Sequence, residues 1–177
     1  LQAITGFRTG TINGRRELET TYGRVVSYGI RRCEFDDYLL RRSGARLDCG
    51  VAISSLRQQR GRWVVNDSIS APMLIGAGGH FCPVARELNR GPHERSHGPL
   101  VVAQEVECPV TPATAAQFLA SPDIPELYFC RDLKGYGWCF RKEGYVNIGL
   151  GRADRESLPH ATAEFVDFLE RRRKIPS

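Results

Sequence analysis

Hydrophobic and polar positions change period several times along the chain, and each change marks an element. Residues 1–29 are rich in Gly, Thr and Arg and hold short β-like runs such as Arg24-Val25-Val26-Ser27-Tyr28, which predict strands and turns. From Arg31 to Arg42 the period becomes helical. Phe35, Tyr38 and Leu39 recur on one side, with Arg31, Arg32, Asp36, Asp37, Arg41 and Arg42 around the rest. Ser43-Gly44 stops that helix. Period 2 follows: Leu47, Cys49, Val51 and Ile53 alternate with Asp48, Gly50, Ala52 and Ser54, the pattern of a half-buried strand. Residues 58–61 read as a turn, Trp63-Val64-Val65 as a return strand and Asn66-Asp67-Ser68 as another turn. The run Met73-Leu74-Ile75, bounded by Gly76-Ala77-Gly78-Gly79, predicts a buried strand emerging into a glycine loop.

Residues 89–99 are polar, contain Gly91-Pro92 and Gly98-Pro99, and read as a linker. Alternation resumes over 101–108, with Val102, Gln104, Val106 and Cys108 on one face. Residues 114–119 predict a short helix, and 128–130, 136–140 and 145–150 three strands. Residues 159–174 predict a helix with Phe165, Phe168 and Leu169 on one stripe. Strands dominate and helices are segregated, so the expected class is α+β: an antiparallel sheet with covering helices, not a complete doubly wound domain.

Composition narrows the function classes. With 41% hydrophobic and 25% charged residues among 177, wholesale disorder, collagen-like structure and coiled coil are excluded. No apolar run approaches the roughly 18 residues of a membrane span. The six cysteines include no C-x-x-C pair, which argues against a zinc ribbon and suits a reducing, cytoplasmic setting. The net charge of +5 comes from arginines interspersed with acids. It supports weak attraction to anions, including dinucleotide phosphates, and not nucleic-acid binding. The run Arg171-Arg172-Arg173-Lys174 closes the last helix, where cations interact favourably with the helix dipole; a nucleic-acid or membrane patch is the other reading. The chain opens on Leu1 without a signal peptide, and a piece of something longer is kept open.

Two segments could carry chemistry. In Ile75-Gly76-Ala77-Gly78-Gly79-His80-Phe81-Cys82-Pro83-Val84-Ala85-Arg86, glycines would let backbone N–H groups approach a phosphate or ribose, with Arg86 as a nearby fixed charge. A plain turn is the other reading. In Tyr136-Gly137-Trp138-Cys139-Phe140 the three aromatics share one strand face. If Arg141-Lys142-Glu143-Gly144 is the hairpin loop, Phe140 lies opposite Tyr145, Trp138 opposite Asn147 and Tyr136 opposite Gly149. Gly149 and Gly151 then leave unfilled space beside the rings, suited to a flat or greasy ligand; the other reading is aromatic packing over strand glycines. His80 could face a cofactor or simply occupy a surface loop. His93, Glu94 and His97 lack a helix to align them as metal ligands, and no metal is expected.

In this order the two segments resemble the geranylgeranyl reductase family of FAD-dependent oxidoreductases, within the p-hydroxybenzoate hydroxylase-like flavoproteins. Residues 75–86 resemble the flavin-contacting segment G-A-D-G-x-x-S-x-x-R. Arg31-Arg32-Cys33-Glu34-Phe35-Asp36-Asp37-Tyr38-Leu39 is similar to the family's R-x-x-F-D-x-x-L helix. Gly135-Tyr136-Gly137-Trp138-Cys139-Phe140 and Asn147-Ile148-Gly149-Leu150-Gly151 resemble its Y-x-W-x-F … G-x-G substrate-domain motif. The resemblance covers roughly residues 24–151.

The resemblance implies FAD as cofactor, approached by Gly76, Ala77, Gly78, Gly79 and Arg86. It also implies an isoprenoid-type hydrophobic substrate against Tyr136, Trp138, Phe140, Gly149 and Gly151, whose carbon–carbon double bond reduced flavin would saturate. Residues 1–29 and 91–177 would form the substrate-binding domain, and 30–90 a partial FAD-domain segment of helix, β-meander and glycine loop. Gly78 stands where the family often has Asp, Cys82 replaces Ser, and Leu133 stands where Pro is common. Neither a G-x-G-x-x-G nor a later Gly-Asp segment is present, so the expectation is an internal fragment that is inactive alone. Two alternatives accompany this reading: a flavin-dependent monooxygenase or halogenase of the same superfold, and a non-catalytic module binding a lipid or hydrophobic partner. Peripheral membrane association is left open.

Overall fold

A computed structural model describes residues 1–89, 100–117, 121–153 and 157–175. The expected linker after Asn89, His93, His97 and the end of the expected helix over 114–119 lie outside these residues. The chain is mixed helix and sheet, compatible with α+β. It divides into two compact units, Leu1–Ser43 with Gly98–Ser177, and Gly44–His97. That division groups the first helix with the larger unit.

The larger unit holds strands β1 (Gln2–Ile4), β2 (Gly6–Thr11), β3 (Glu17–Thr21) and β4 (Ser27–Gly29), followed by helix α1 (Arg32–Arg42). β1 and β4 pair with each other as a separate antiparallel ribbon. The smaller unit holds β5 (Leu56–Gln59), β6 (Arg62–Val65), β7 (Ile69–Ala71) and helix α2 (Pro83–Leu88). The larger unit resumes with β8 (Val102–Pro109), α3 (Pro112–Ala115), β9 (Glu126–Phe129), β10 (Gly135–Lys142), β11 (Tyr145–Arg152) and α4 (Leu158–Arg171). Its main sheet runs β3-β2-β9-β10-β11-β8, antiparallel except where β2 lies parallel to β9.

Helix α4 covers one face of this sheet. Ala161, Phe165, Phe168 and Leu169 follow a 3.6-residue period and are all buried. They pack with Tyr128, Cys139, Val146 and Leu150 of the sheet, and full burial of a Phe or Leu side chain contributes about 1.5–3 kcal/mol. Gly137 makes the close approach possible: a β-carbon there would come within 2.6 Å of the Phe165 ring. α4 ends in a Schellman turn, with Lys174 N–H donating to Leu169 O at 2.9 Å and Arg173 N–H to Glu170 O at 2.8 Å. Arg173 takes the left-handed φ of 53° that this turn requires. The turn sends Lys174 back beneath the sheet, where its ammonium meets the fully buried Glu126 at 2.8 Å. Arg8 reaches the same carboxylate at 2.5 Å, and the Tyr128 hydroxyl donates to it at 2.9 Å. This network closes the edge of the core with every buried charge paired.

In the smaller unit β5, β6 and β7 form an antiparallel meander. Its first turn is Arg60-Gly61, both at positive φ, so Gln58 and Gln59 belong to β5 and not to the turn. The strand expected over 47–53 does not form. Gly50 sits at φ +77°, and Leu47, Val51 and Ile53 are exposed. The Asn66 side chain also holds this backbone: Oδ1 accepts from Ser54 N–H at 2.8 Å and Ser55 N–H at 3.1 Å, and Nδ2 donates to Ala52 O at 2.8 Å. Nor is Met73-Leu74-Ile75 a buried strand. It is irregular, with Met73 and Ile75 exposed and no ladder partner among the described residues. Helix α1 forms where its period predicts, yet buries none of its residues; Phe35, Tyr38 and Leu39 all stay exposed.

Candidate ligand-binding cleft

The sheet face opposite α4 carries the aromatic residues. Strand alternation in β10 turns Gly137 and Cys139 toward α4 and Tyr136, Trp138 and Phe140 to the open face. The β10–β11 turn has two residues, Glu143 and Gly144, with Glu143 at φ 53°, in place of the four expected. The register therefore moves by two: Phe140 pairs with Asn147, Trp138 with Gly149 and Tyr136 with Gly151. A shift of two preserves the face of every side chain, so the aromatics still share one surface.

The rings form a row. Phe129 and Tyr136 have centroids 6.3 Å apart, and Tyr136 and Trp138 5.9 Å. Phe7, Leu127, Ile4, Tyr28 and Ile30 join Tyr136, Trp138 and Phe140 around a cleft of about 440 Å³. Glu105, Lys142 and Asn147 supply polar groups to its lining. The Lys142 ammonium lies 5.0 Å from the Phe140 centroid and 3.4 Å from Glu107 Oε2. A second cavity of about 440 Å³ lies by the hairpin tip, where the Arg31 guanidinium stacks 3.7 Å over the Tyr145 ring.

The unfilled space expected over both glycines is open at neither, and neither glycine lines the cleft. At Gly149 a β-carbon would stand 2.5 Å from Trp138 Cε2, because the indole lies on the glycine. The packing alternative accounts for that position. Gly151 is different, with its nearest neighbour, Ala103 Cβ, at 3.5 Å, an ordinary contact. Asn147, 2% exposed, holds the indole in place: its Oδ1 accepts from Trp138 Nε1 at 2.7 Å. Asn147, Phe7 and Leu127 were not among the expected site residues. A single amide inside the apolar run of β11 was a usable signal for Asn147; Leu127 arrives opposite Trp138 through the neighbouring β9–β10 pair, and Phe7 with β2, whose place beside β9 no local pattern encodes.

The glycine segment lies in the smaller unit. Gly76, Ala77, Gly78 and Gly79 are exposed and lead through a short 3-10 turn, Gly79–Phe81, into α2. A β-carbon at Gly76 would lie 2.9 Å from Val84 Cβ, and one at Gly78 would lie 3.3 Å from Cys82 Cβ. These glycines therefore let the loop fold onto α2. Only Gly79, at φ +69°, faces open space. Arg86 lines a separate hollow with Ser54, Ser55, Pro83 and Glu87, which the glycines do not line. Taken alone, the described residues of this segment offer an exposed backbone edge and a cation, and do not enclose an FAD. Cys82 is buried, and the backbone amides of Ala85 and Gly78 hold its thiol below the ordinary value. His80 packs edge-on against Phe81 at 5.1 Å.

Among the described residues no cluster of His, Cys, Asp and Glu is placed to hold a metal, and no helix is long and apolar enough to cross a membrane. Comparison of the chain with protein-family models and with curated proteins yields no match.

Proposed function

We propose that the chain is the substrate-binding portion of an FAD-dependent oxidoreductase similar to the geranylgeranyl reductases, and that the open aromatic cleft takes an isoprenoid-type hydrophobic substrate. The observation that carries this reading is the cleft. A sheet sealed by α4 on one side leaves Phe129 and Tyr136 44% and 46% exposed on the other, beside a cavity walled by rings and branched aliphatics. Such walls exclude water and discriminate by shape, while Asn147 keeps the indole floor fixed. Reduced flavin, when present, would supply the hydride. In this reading most of the flavin site belongs to other parts of a longer protein, and Gly76, Ala77, Gly78, Gly79 and Arg86 contribute one edge of it.

The test uses the longer protein that contains this chain. It should copurify with FAD and, under anaerobic conditions with reductant, saturate an isoprenoid double bond. Uptake of oxygen into the product would replace reductase by monooxygenase chemistry. A colourless protein indifferent to FAD would overturn the flavoenzyme reading. The second reading, a non-catalytic hydrophobic-ligand module, draws on the glycine segment: its glycines pack against Cys82 and Val84, not around a ligand.

A further inference from the structure

The last helix and the first hairpin meet in a cluster of arginines outside the aromatic cleft. Arg15, Arg171 and Arg172 line a cavity of about 300 Å³ with Asn13, Gly14 and Phe168. Two of the guanidiniums are held in place. Arg171 donates to Asn13 Oδ1 at 2.6 Å and pairs with Asp167 at 2.8 Å. Arg172 donates to Gly14 O at 2.6 Å and lies 5.6 Å from the Phe168 centroid. Asn13 in turn donates to Glu164 Oε1 at 2.6 Å. Arg15 is exposed and has no carboxylate partner among the described residues. One of the three cations is thus compensated by a carboxylate and two are not. The helix dipole accounts for cations at the end of α4. It does not account for Arg15, which the β2–β3 turn delivers to the same cavity.

We infer that this cavity is a binding site for a phosphate ester. Guanidinium forks match phosphate oxygens in pairs, and fixing two of them beforehand lowers the ordering cost of a third. The phosphate could belong to a free small molecule or to a phospholipid headgroup, and the two sources separate experimentally. The full chain is titrated with inorganic phosphate by NMR. In parallel it is sedimented with vesicles of phosphatidylcholine, alone or with a third phosphatidylglycerol. Each arginine facing an anionic leaflet carries roughly fivefold in partition. Arg15→Glu should therefore lower vesicle binding by at least that factor and abolish saturable phosphate shifts at Gly14 and Arg172. Because Arg15 makes no tertiary bond, its variant should keep the parent thermal midpoint; Arg172→Gln, checked the same way, is the second variant. Saturable phosphate shifts without vesicle binding assign a soluble ester, and binding only to anionic vesicles assigns a headgroup. Absence of both, or an equal loss from the charge-matched control Arg24→Glu, overturns the proposal.

Discussion

Gly149 and Gly151 stand two apart on the same strand face, yet replacing each by alanine should have opposite outcomes. At Gly149 the new methyl would penetrate the Trp138 indole, with Cε2 at 2.5 Å, and would also approach Glu105 Cβ at 2.8 Å. The ring must leave. Overpacking of this kind costs about 1–3 kcal/mol, and losing the indole N–H strands the buried Asn147 oxygen for about 1–3 kcal/mol more. Alanine returns about 0.5–1 kcal/mol through the lower entropy of the unfolded chain. The net loss should be about 1–5 kcal/mol. At Gly151 the methyl meets Ala103 Cβ at 3.5 Å, so only the entropic gain remains and stability should rise by up to about 0.5–1 kcal/mol. Urea denaturation followed by circular dichroism in a Trp63→Phe background isolates the effect. Combining Gly149→Ala with Trp138→Leu should recover most of the overpacking cost. Equal effects at the two glycines, or no coupling between Gly149 and Trp138, would refute the packing derived for this face.

Other consequences follow from the core and its edge. Lys174→Ala removes one partner of the buried Glu126 and should cost about 3 kcal/mol in the same denaturation assay, while Arg173→Gly, relieving a left-handed arginine, should gain about 0.5–1 kcal/mol. Burial pushes the Cys139 thiol from about 9 up to about 12, with the Glu126 charge adding to the shift; burial and the same carboxylate also raise the Tyr128 hydroxyl. The folded chain keeps protons that the unfolded chain releases, so stability should be full below about pH 9 and fall as pH rises from there. Cys139→Val should move the onset of that loss toward about pH 10, where unfolded Tyr128 begins to ionise. Under native conditions a thiol reagent should label Cys33, Cys49 and Cys108 quickly, with Cys82, Cys130 and Cys139 labelled only after denaturation.

The parts of the fold legible in the sequence are those whose pattern and partners lie close together. α4 declared itself through Phe165, Phe168 and Leu169, and the β10–β11 pair through its alternating aromatics and glycines. The hairpin register was misplaced because loop length, not polarity, decides it. Glu143 accepts a positive φ, which lets Arg141 and Lys142 remain in the ladder. The alternation over 47–53 and the apolar run 73–75 were real patterns without strands: a strand needs a neighbouring ladder as well as a period, and Asn66 occupies part of the backbone concerned. Within the cleft, Tyr136, Trp138 and Phe140 share a face for a reason any strand obeys. Leu127 arrives opposite Trp138 through the sequence-adjacent antiparallel β9–β10 pair, whereas Phe7 comes with β2, whose parallel pairing to β9 is a non-local contact on which periodicity is silent.

The claim on which most depends is that the open aromatic face receives an apolar chain. Trp138 reports on it directly. In the Trp63→Phe protein the only tryptophan is the floor of the cleft, so a titration with geranylgeraniol should change its emission saturably, and Phe140→Ala or Tyr136→Ala should weaken the affinity roughly tenfold or more. Emission that stays constant through the titration, or an affinity unaltered in both variants, would contradict the assignment of this face as the substrate site.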